Sequence, residues 1–269
     1  MIPGARLVVL GKQGAGKGTQ CVRLSHHFVV PHISTGDMFR AAVRSRTPFG
    51  VKAKEYLDAG DLVPDDIVVG LVAERLAERD IRARGFVLDG FPRTVAQAEA
   101  LARLLEPEGL DLVIDLEVPT EVVLARLAGR RVCRDCGENY SVASPPKVDW
   151  TCDVCGGEVV QREDDTEAAI ARRLAHYERE TAPLIDWYAR RGELAVVDGL
   201  GTPDEVMERL VAAVEQAKGL RPALPSDLAV PPGGTRLVPR GERLLGSPTA
   251  TRGVDGLSPD APRPPARPS

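Results

Sequence analysis

The chain has 269 residues, of which 43 % are hydrophobic, enough to bury the core of one large domain or of one domain with insertions. A net charge of −4 argues against a general nucleic-acid binder. No run of about 18 apolar residues offers a membrane span, and no basic segment followed by an apolar core opens the chain, so a cytoplasmic protein is expected.

The first apolar run, with a strand expected at Leu7–Leu10, leads straight into Gly11-Lys12-Gln13-Gly14-Ala15-Gly16-Lys17-Gly18-Thr19. Glycines at 11, 14, 16 and 18 let the backbone turn tightly and aim successive N–H groups into one concavity. A helix starting there adds the positive end of its dipole, and Lys17 adds a mobile point charge, a combination suited to a polyphosphate. The phosphate-loop pattern G-x-x-x-x-G-K-[ST] is met except that Gly18 holds the hydroxyl position, moving Thr19 on by one. Cys21, in the helical run that follows, reads as a buried small hydrophobe.

A short strand is expected near Pro31–Ser34. Residues 35–63 read as short helices with turns at Thr47-Pro48-Phe49-Gly50 and Ala59-Gly60-Asp61, a small insertion. Asp65–Ala83 reads as helix and Phe86–Leu88 as a buried strand. Asp89, ending that strand beside a phosphate loop, stands where a magnesium shell needs an anion. Gly90 leaves room for a ligand, and Arg93 precedes the next helix, read as Thr94–Leu105. Further strands at Leu112–Leu116 and Leu194–Val197, with helices at Glu121–Leu127 and Pro203–Ala217, complete an alternation that predicts an α/β fold, a doubly wound parallel five-stranded sheet. Ligands of such sheets lie beyond the carboxyl ends of the strands, so Gly11–Thr19, Ser34–Asp37 and Asp89–Arg93 should line one crevice.

Two segments stand outside the sheet pattern. Residues 129–163 lack a periodic apolar face, yet hold Cys133-x-x-Cys136 and Cys152-x-x-Cys155, the spacing of a four-thiolate zinc site. With all four positions filled by cysteine there is no opening for water, so the metal is expected to be structural. Tetrahedral sulfur also accommodates iron. From residue 219 onward the composition changes: eleven of the 22 prolines, and seven Arg against four acidic residues, fall in 219–269. This tail is expected to be disordered.

Gly11–Thr19, Pro31-His32-Ile33-Ser34-Thr35-Gly36-Asp37-Met38-Phe39-Arg40, Asp61-Leu62-Val63-Pro64-Asp65, Leu88–Thr94 with Gln97, and Gly129-Arg130-Arg131 together resemble adenylate kinases, and the cysteine-bearing insert resembles the zinc lid of their long bacterial form. The resemblance covers about residues 5–218. It implies a kinase unit over 1–218, with an AMP-binding insert at 34–63 and a zinc lid at 129–165, and the reaction ATP + AMP ⇌ 2 ADP with magnesium. By the same resemblance Gly14, Ala15, Gly16, Lys17, Gly18 and Thr19 would hold ATP phosphates, with Arg126, Arg130, Asn139, Tyr140 and Gly201 making further ATP contacts. Thr35, Arg40, Asp61, Leu62, Val63, Gly90, Phe91, Pro92, Arg93 and Gln97 would bind AMP, and Arg162 and Arg173 would bridge both nucleotides, with Asp164-Asp165 beside them. Lys17, Asp89, Arg93, Arg130, Arg162 and Arg173 are the expected catalytic set, while Arg131 and Arg172 read as solvated neighbours. Gln13, where proline is common, and Gly201, in place of a longer polar residue, depart from the family pattern. ATP, AMP and ADP are the implied partners of a monomer. The remaining alternatives are a kinase for another nucleoside monophosphate or with GTP as donor, and a zinc-dependent nucleic-acid-binding or scaffold protein.

Overall fold

The computed structural model describes residues 4–46, 48–59, 61–162, 165–219 and 234–238. In chain order its elements are β1 (Arg6–Leu10), α1 (Lys17–Phe28), β2 (His32–Ser34), α2 (Thr35–Arg44), α3 (Pro48–Ala59), α4 (Asp65–Leu76), α5 (Arg79–Arg84), β3 (Phe86–Asp89), α6 (Val95–Leu104), β4 (Leu112–Glu117), α7 (Thr120–Ala128), β5 (Arg130–Cys133), β6 (Asn139–Ser141), β7 (Val159–Val160), α8 (Glu167–His176), α9 (Ala182–Arg191), β8 (Leu194–Asp198), α10 (Pro203–Ala217) and β9 (Thr235–Val238). A π-helical turn, Tyr177–Thr181, joins α8 to α9.

Strands β2-β3-β1-β4-β8-β9 lie side by side in that order, the first five parallel and β9 antiparallel to β8. Alternation along each strand feeds two core layers. Leu7, Val9, Val87, Ile114 and Leu116 point to the layer shared with Leu24 of α1 and Leu210 of α10. Val8, Leu10, Leu88 and Val113 point to the opposite layer, with Leu101 of α6 and Tyr188 of α9. Because both faces are covered, the strands need apolar residues at nearly every position. Local sequence agrees with these placements. Thr94 caps α6 by accepting from Gln97 N at 3.2 Å, and Thr202 and Glu205 form a reciprocal capping box at α10, with Pro203 in its first turn. Among the described residues no helix is long and apolar enough to cross a membrane.

Three expectations are corrected. The helix read over Asp65–Ala83 is two helices, α4 and α5. Val68, Val72 and Leu76 follow the helical repeat, but the next buried residue is Ile81, and an unbroken helix would have turned Asp80 inward instead. Glu78 is extended, and Arg75 holds the junction by donating to Glu78 Oε2 at 2.5 Å and to both Asp80 oxygens at 3.3 Å. The turn read at Thr47–Gly50 is also revised: Pro48 opens α3, where its missing N–H would have had no helical partner; Thr47 and Gly60 lie outside the described residues.

The third correction concerns the tail. Thr235–Val238, inside the segment expected to be disordered, forms β9 against β8 and makes the sheet six-stranded. The parallel strand β8 would otherwise offer a bare edge. Leu237 packs on one core layer and Val238 is buried in the other. Residues 220–233 and 239–269 lie outside the described residues. A separate antiparallel sheet, β6-β5-β7, carries the cysteine pairs.

Candidate active site

The loop between β1 and α1 takes the conformation its glycines permit. Gly11, Gly14 and Gly16 have φ of 133°, 85° and 103°, and a Cβ on Gly14 would stand 2.8 Å from Leu127 Cγ. Gly16 caps α1, so the free N–H groups of the first helical turn face the cleft. Lys17 Nζ folds back and donates to Gly11 O at 2.7 Å and Lys12 O at 2.8 Å. Arg126 of α7 donates to Ala15 O at 3.0 Å and Gly199 O at 3.3 Å, tying the loop to the segment after β8.

The ends of β2 and β3 supply the opposite wall. Thr35 Oγ1 donates to Gly90 O at 2.9 Å, and Gly90, with φ of 78°, leaves no space for a Cβ, which would fall 2.9 Å from that hydroxyl. Arg93 Nε donates to Gly90 O at 2.9 Å, and Thr181 Oγ1 donates to Arg93 O at 3.0 Å. Gln97 is buried, accepts from Arg93 N at 2.7 Å and donates through Nε2 to Asp65 Oδ1 at 2.6 Å. Asp65 Oδ2 accepts from Thr94 Oγ1 at 2.7 Å. One N–H and one lone pair of the Gln97 amide are left for a ligand. Asp65, first residue of α4, therefore fixes the orientation of Gln97. It stood within the motif Asp61–Asp65, but nothing in the linear sequence links it to a residue 32 positions on.

A second carboxylate organises the hinge of the small sheet. Asp165, whose side chain is wholly buried, accepts from Arg130 Nε at 2.7 Å and from Gln13 Nε2 at 3.1 Å, and Arg173 Nη1 lies 3.9 Å away. Arg173 also donates to Leu57 O of α3 at 3.0 Å. Gln13, the departure from the family pattern, thus joins the phosphate loop to the segment leading into α8. The sequence placed Asp164-Asp165 beside the arginines; Asp164 lies outside the described residues, and only the fold reveals that Asp165 holds two of them.

The electrostatics are those of an anion site. Burial pulls the Lys17 ammonium below its ordinary value; Asp89 opposes this, while Arg93 and Arg130 add to it. Burial likewise lowers Arg93, again against Asp89, and the charges of Arg173 and Arg40 lower it further. Asp37 is raised by burial but brought down on balance by the charge and hydrogen bond of Arg40, by Ser34 and by the charge of Arg162. Arg162 is thus within electrostatic reach of α2.

Lys17, Arg40, Arg93, Arg130, Arg162 and Arg173 all line one cleft of about 1180 Å³, as do Asp89, Gln97, Thr35, Asp61, Leu62, Val63, Gly90, Pro92, Asn139, Tyr140 and Gly201. So do Gly14, Ala15, Gly16, Gly18, Thr19 and Arg126. Phe91 is the exception: it is fully buried in the core and its side chain does not reach the cleft. Arg131, half-buried with its guanidinium 5.8 Å from the Trp150 ring centroid, and the exposed Arg172 do not line the cleft.

The four cysteines converge as their spacing requires. Their sulfur atoms lie within 4.8 Å of one another, with Cys133 Sγ 3.4 Å from Cys155 Sγ and Cys136 Sγ 3.6 Å from Cys152 Sγ. A tetrahedral ion with bonds of about 2.3 Å needs sulfurs about 3.8 Å apart, so the donor set fits. Tyr140 commits its hydroxyl to Cys152 Sγ, at 3.4 Å, and to Asp153 N, at 2.8 Å, although its ring lines the cleft.

The family model for adenylate kinase matches residues 9–193. The chain is 51 % identical over 214 residues to the adenylate kinase of Carboxydothermus hydrogenoformans, covering 78 % of this chain and all of the relative. It is 51 % identical to that of Thermodesulfovibrio yellowstonii, covering 78 % of this chain and 99 % of the relative. With that of Geobacter sp. strain M21 it shares 52 % over 211 residues, 77 % of this chain and 98 % of the relative. The matched span takes in the phosphate loop, the arginine-lined cleft and the four cysteines: the chain belongs to the adenylate kinase family, whose reaction is ATP + AMP ⇌ 2 ADP.

Proposed function

We propose that the cations of the cleft divide the work of moving the terminal phosphoryl group of MgATP onto AMP. The observation that carries this assignment is the gathering of Lys17, Arg40, Arg93, Arg130, Arg162 and Arg173 from separate segments around one cleft. Phosphoryl transfer asks little covalent chemistry of a protein; it asks that two phosphates be held in line and that developing charge be neutralised. The loop Gly14–Thr19 with Lys17 holds the donor phosphates, and Arg126 and Arg130 face ATP from α7 and β5. Asn139, Tyr140 and the backbone of Gly201 complete the donor side. Arg40 and Arg93 take the acceptor phosphate, Arg162 and Arg173 serve both, and Gln97 reads the adenine edge of AMP. Thr35 and the backbone of 61–63 and 90–92 enclose the rest of AMP. No strong base is required, because the attacking phosphate oxygen is already anionic.

Asp89 is the group we assign to the water shell of magnesium, which when bound supplies charge neutralisation to the phosphates. Cys133, Cys136, Cys152 and Cys155 would hold a structural zinc, the fit of the donor set being the support for it. Two C-x-x-C pairs at metal-ligand spacing, rather than a disulfide framework, suit the cytoplasm.

The test is ADP formation from ATP with AMP, run beside UMP, CMP and GMP and with GTP as donor; activity with ATP and AMP alone is the expected result. Arg93→Ala should lose at least about a hundredfold in kcat with the fold intact, since one charge-stabilising group is worth about 2.7–4 kcal/mol. Arg172→Ala should be silent. Equal activity of Arg93→Ala and wild type would remove Arg93 from the site.

A further inference from the structure

A second group of metal-ligating side chains lies behind the phosphate loop. Cys21 is one helical turn beyond Lys17 on α1, His32 opens β2 and Asp89 closes β3; one ligand atom from each lies within 4.8 Å of the others. The strand register explains the meeting. His32 pairs with Val87 and Ser34 with Asp89, so His32 and Asp89 sit two places apart on one face of the sheet. Cys21 is fully buried within the core layer that α1 shares with Val87 of β3.

We propose that Cys21, His32 and Asp89 form a cation site for a borderline-soft divalent metal such as zinc, and that its occupancy inhibits the kinase. Three observations carry this. The donor set is one sulfur, one imidazole nitrogen and one carboxylate oxygen, a combination that suits zinc and not magnesium, which prefers oxygen alone. His32 Nε2 is buried and finds no hydrogen-bond partner among the described residues, whereas buried polar atoms are ordinarily paired. Asp89 lines the cleft, so an ion arriving with solvent or nucleotide reaches the group from that side.

Tetrahedral coordination at about 2.0–2.3 Å needs ligand atoms about 3.3–3.8 Å apart, so the three side chains must close in by no more than about an ångström and a half. Binding exchanges the thiol proton of Cys21, released to solvent, for a sulfur–metal bond; nothing is oxidised. The three protein ligands leave a fourth position for water or a phosphate oxygen. Lys17, whose charge reaches Cys21, repels the ion, so this site is weaker than a cluster of four thiolates. Inhibition follows from Asp89. Once it ligates the soft metal, it no longer serves the magnesium shell or faces Lys17. The binding itself does not depend on that catalytic assignment.

The experiment uses the full chain as purified, dialysed against buffered free zinc, with wild type, Cys21→Ala and His32→Gln compared. Wild type should retain one more zinc per chain than either variant, whatever the four-cysteine cluster contributes to the total. In wild type the additional zinc should show mixed sulfur, nitrogen and oxygen neighbours by X-ray absorption, a readout that needs no variant to fold. Kinase activity in magnesium alone should survive both substitutions. Inhibition by added zinc, reversed by a mild chelator, should weaken at least tenfold in each. No additional zinc in wild type, additional zinc with sulfur neighbours only, or full retention of it by either variant would overturn the site. Binding without inhibition would overturn the inhibitory role.

Discussion

At the scale of single residues, the cleft is organised by two carboxylates engaged with protein side chains: Asp65 with Gln97 and Thr94, Asp165 with Arg130 and Gln13. Asp65 holds Gln97 by an N–H···O bond of 2.6 Å while Thr94 holds Asp65 at 2.7 Å, so the amide to which we assign the reading of the acceptor base is set by a residue of another helix. Asp65→Asn puts an N–H₂ where one of two acceptors is needed and turns the Gln97 amide. Steady-state kinetics should show KM for AMP raised about tenfold, with kcat and KM for ATP little changed, because only acceptor binding is touched. Asp115, at the cleft end of β4, is a different case. Burial pushes its carboxyl from its ordinary 3.8 to about 7, helped by Glu117 and opposed by the Tyr177 hydroxyl and the charges of Lys17 and Lys12. An acid with a raised folded value stabilises the fold fully below about pH 4, and that contribution is lost as pH rises through about 7. Asp115→Asn, which keeps an acceptor for Tyr177, should therefore gain in Tm relative to wild type between pH 5 and pH 8. A constant difference across that range would show that Asp115 does not titrate this way.

At the scale of elements, the small sheet has the smallest apolar core cluster among the described residues. β6, β5 and β7 run to three, four and two residues, and the sheet's core is Cys133, Cys152 and Val159 with Tyr140 against them. So few apolar groups cannot offset the entropy of ordering the segment, and a metal joining the four sulfurs, as we propose, would supply the missing stabilisation. Cys133→Ser, or a strong chelator, should lower Tm and expose the segment to proteolysis, with catalysis falling because Arg130 begins β5. A metal-free protein with unchanged melting and activity would exclude that role. The same scale shows what was legible in the sequence. The cysteine spacing and the glycine pattern foretold their local structure because both are short-range constraints on the backbone. The break between α4 and α5 was hidden, since the burial of Ile81 and the contacts of Arg75 with Glu78 and Asp80 that choose it over a longer helix arise only in the folded chain.

At the scale of the whole molecule, β9 changes where the folded unit ends. Its pairing runs Leu194↔Val238 to Val197↔Thr235, and Asp198 N donates to Gly234 O at 3.1 Å. Ending the chain after Lys218 uncovers the β8 edge and the apolar surface beneath Leu237 and Val238. Burial of such a side chain is worth about 1.5–3 kcal/mol, and 1 kcal/mol moves the midpoint of a domain of this size by about 2–4 °C. Truncation should therefore lower Tm by several degrees while leaving kinase activity at room temperature, as β9 contributes no group to the cleft. Hydrogen exchange should find the amides of 235–238 protected in the full chain; unprotected amides and an unchanged Tm would detach the strand from the sheet.

The sequence alone determined the phosphate loop, the five parallel strands, the cysteine cluster and, among the described residues, seven of the ten lysines and arginines that line the cleft, Arg44, Lys54 and Arg134 being the ones it did not mark. Each is written in neighbouring residues, as a glycine that permits a turn, an apolar run that must be buried on both faces, or a thiol pair at fixed spacing. Only the tertiary structure decided that Asp65 orients Gln97, that Asp165 joins Gln13 to Arg130, that Phe91 turns into the core and that Thr235–Val238 closes the sheet edge. Those outcomes rest on contacts between residues 29 to 152 positions apart, or on which face of the sheet a residue meets. Such contacts come into being only when the layers pack, and no local pattern encodes them.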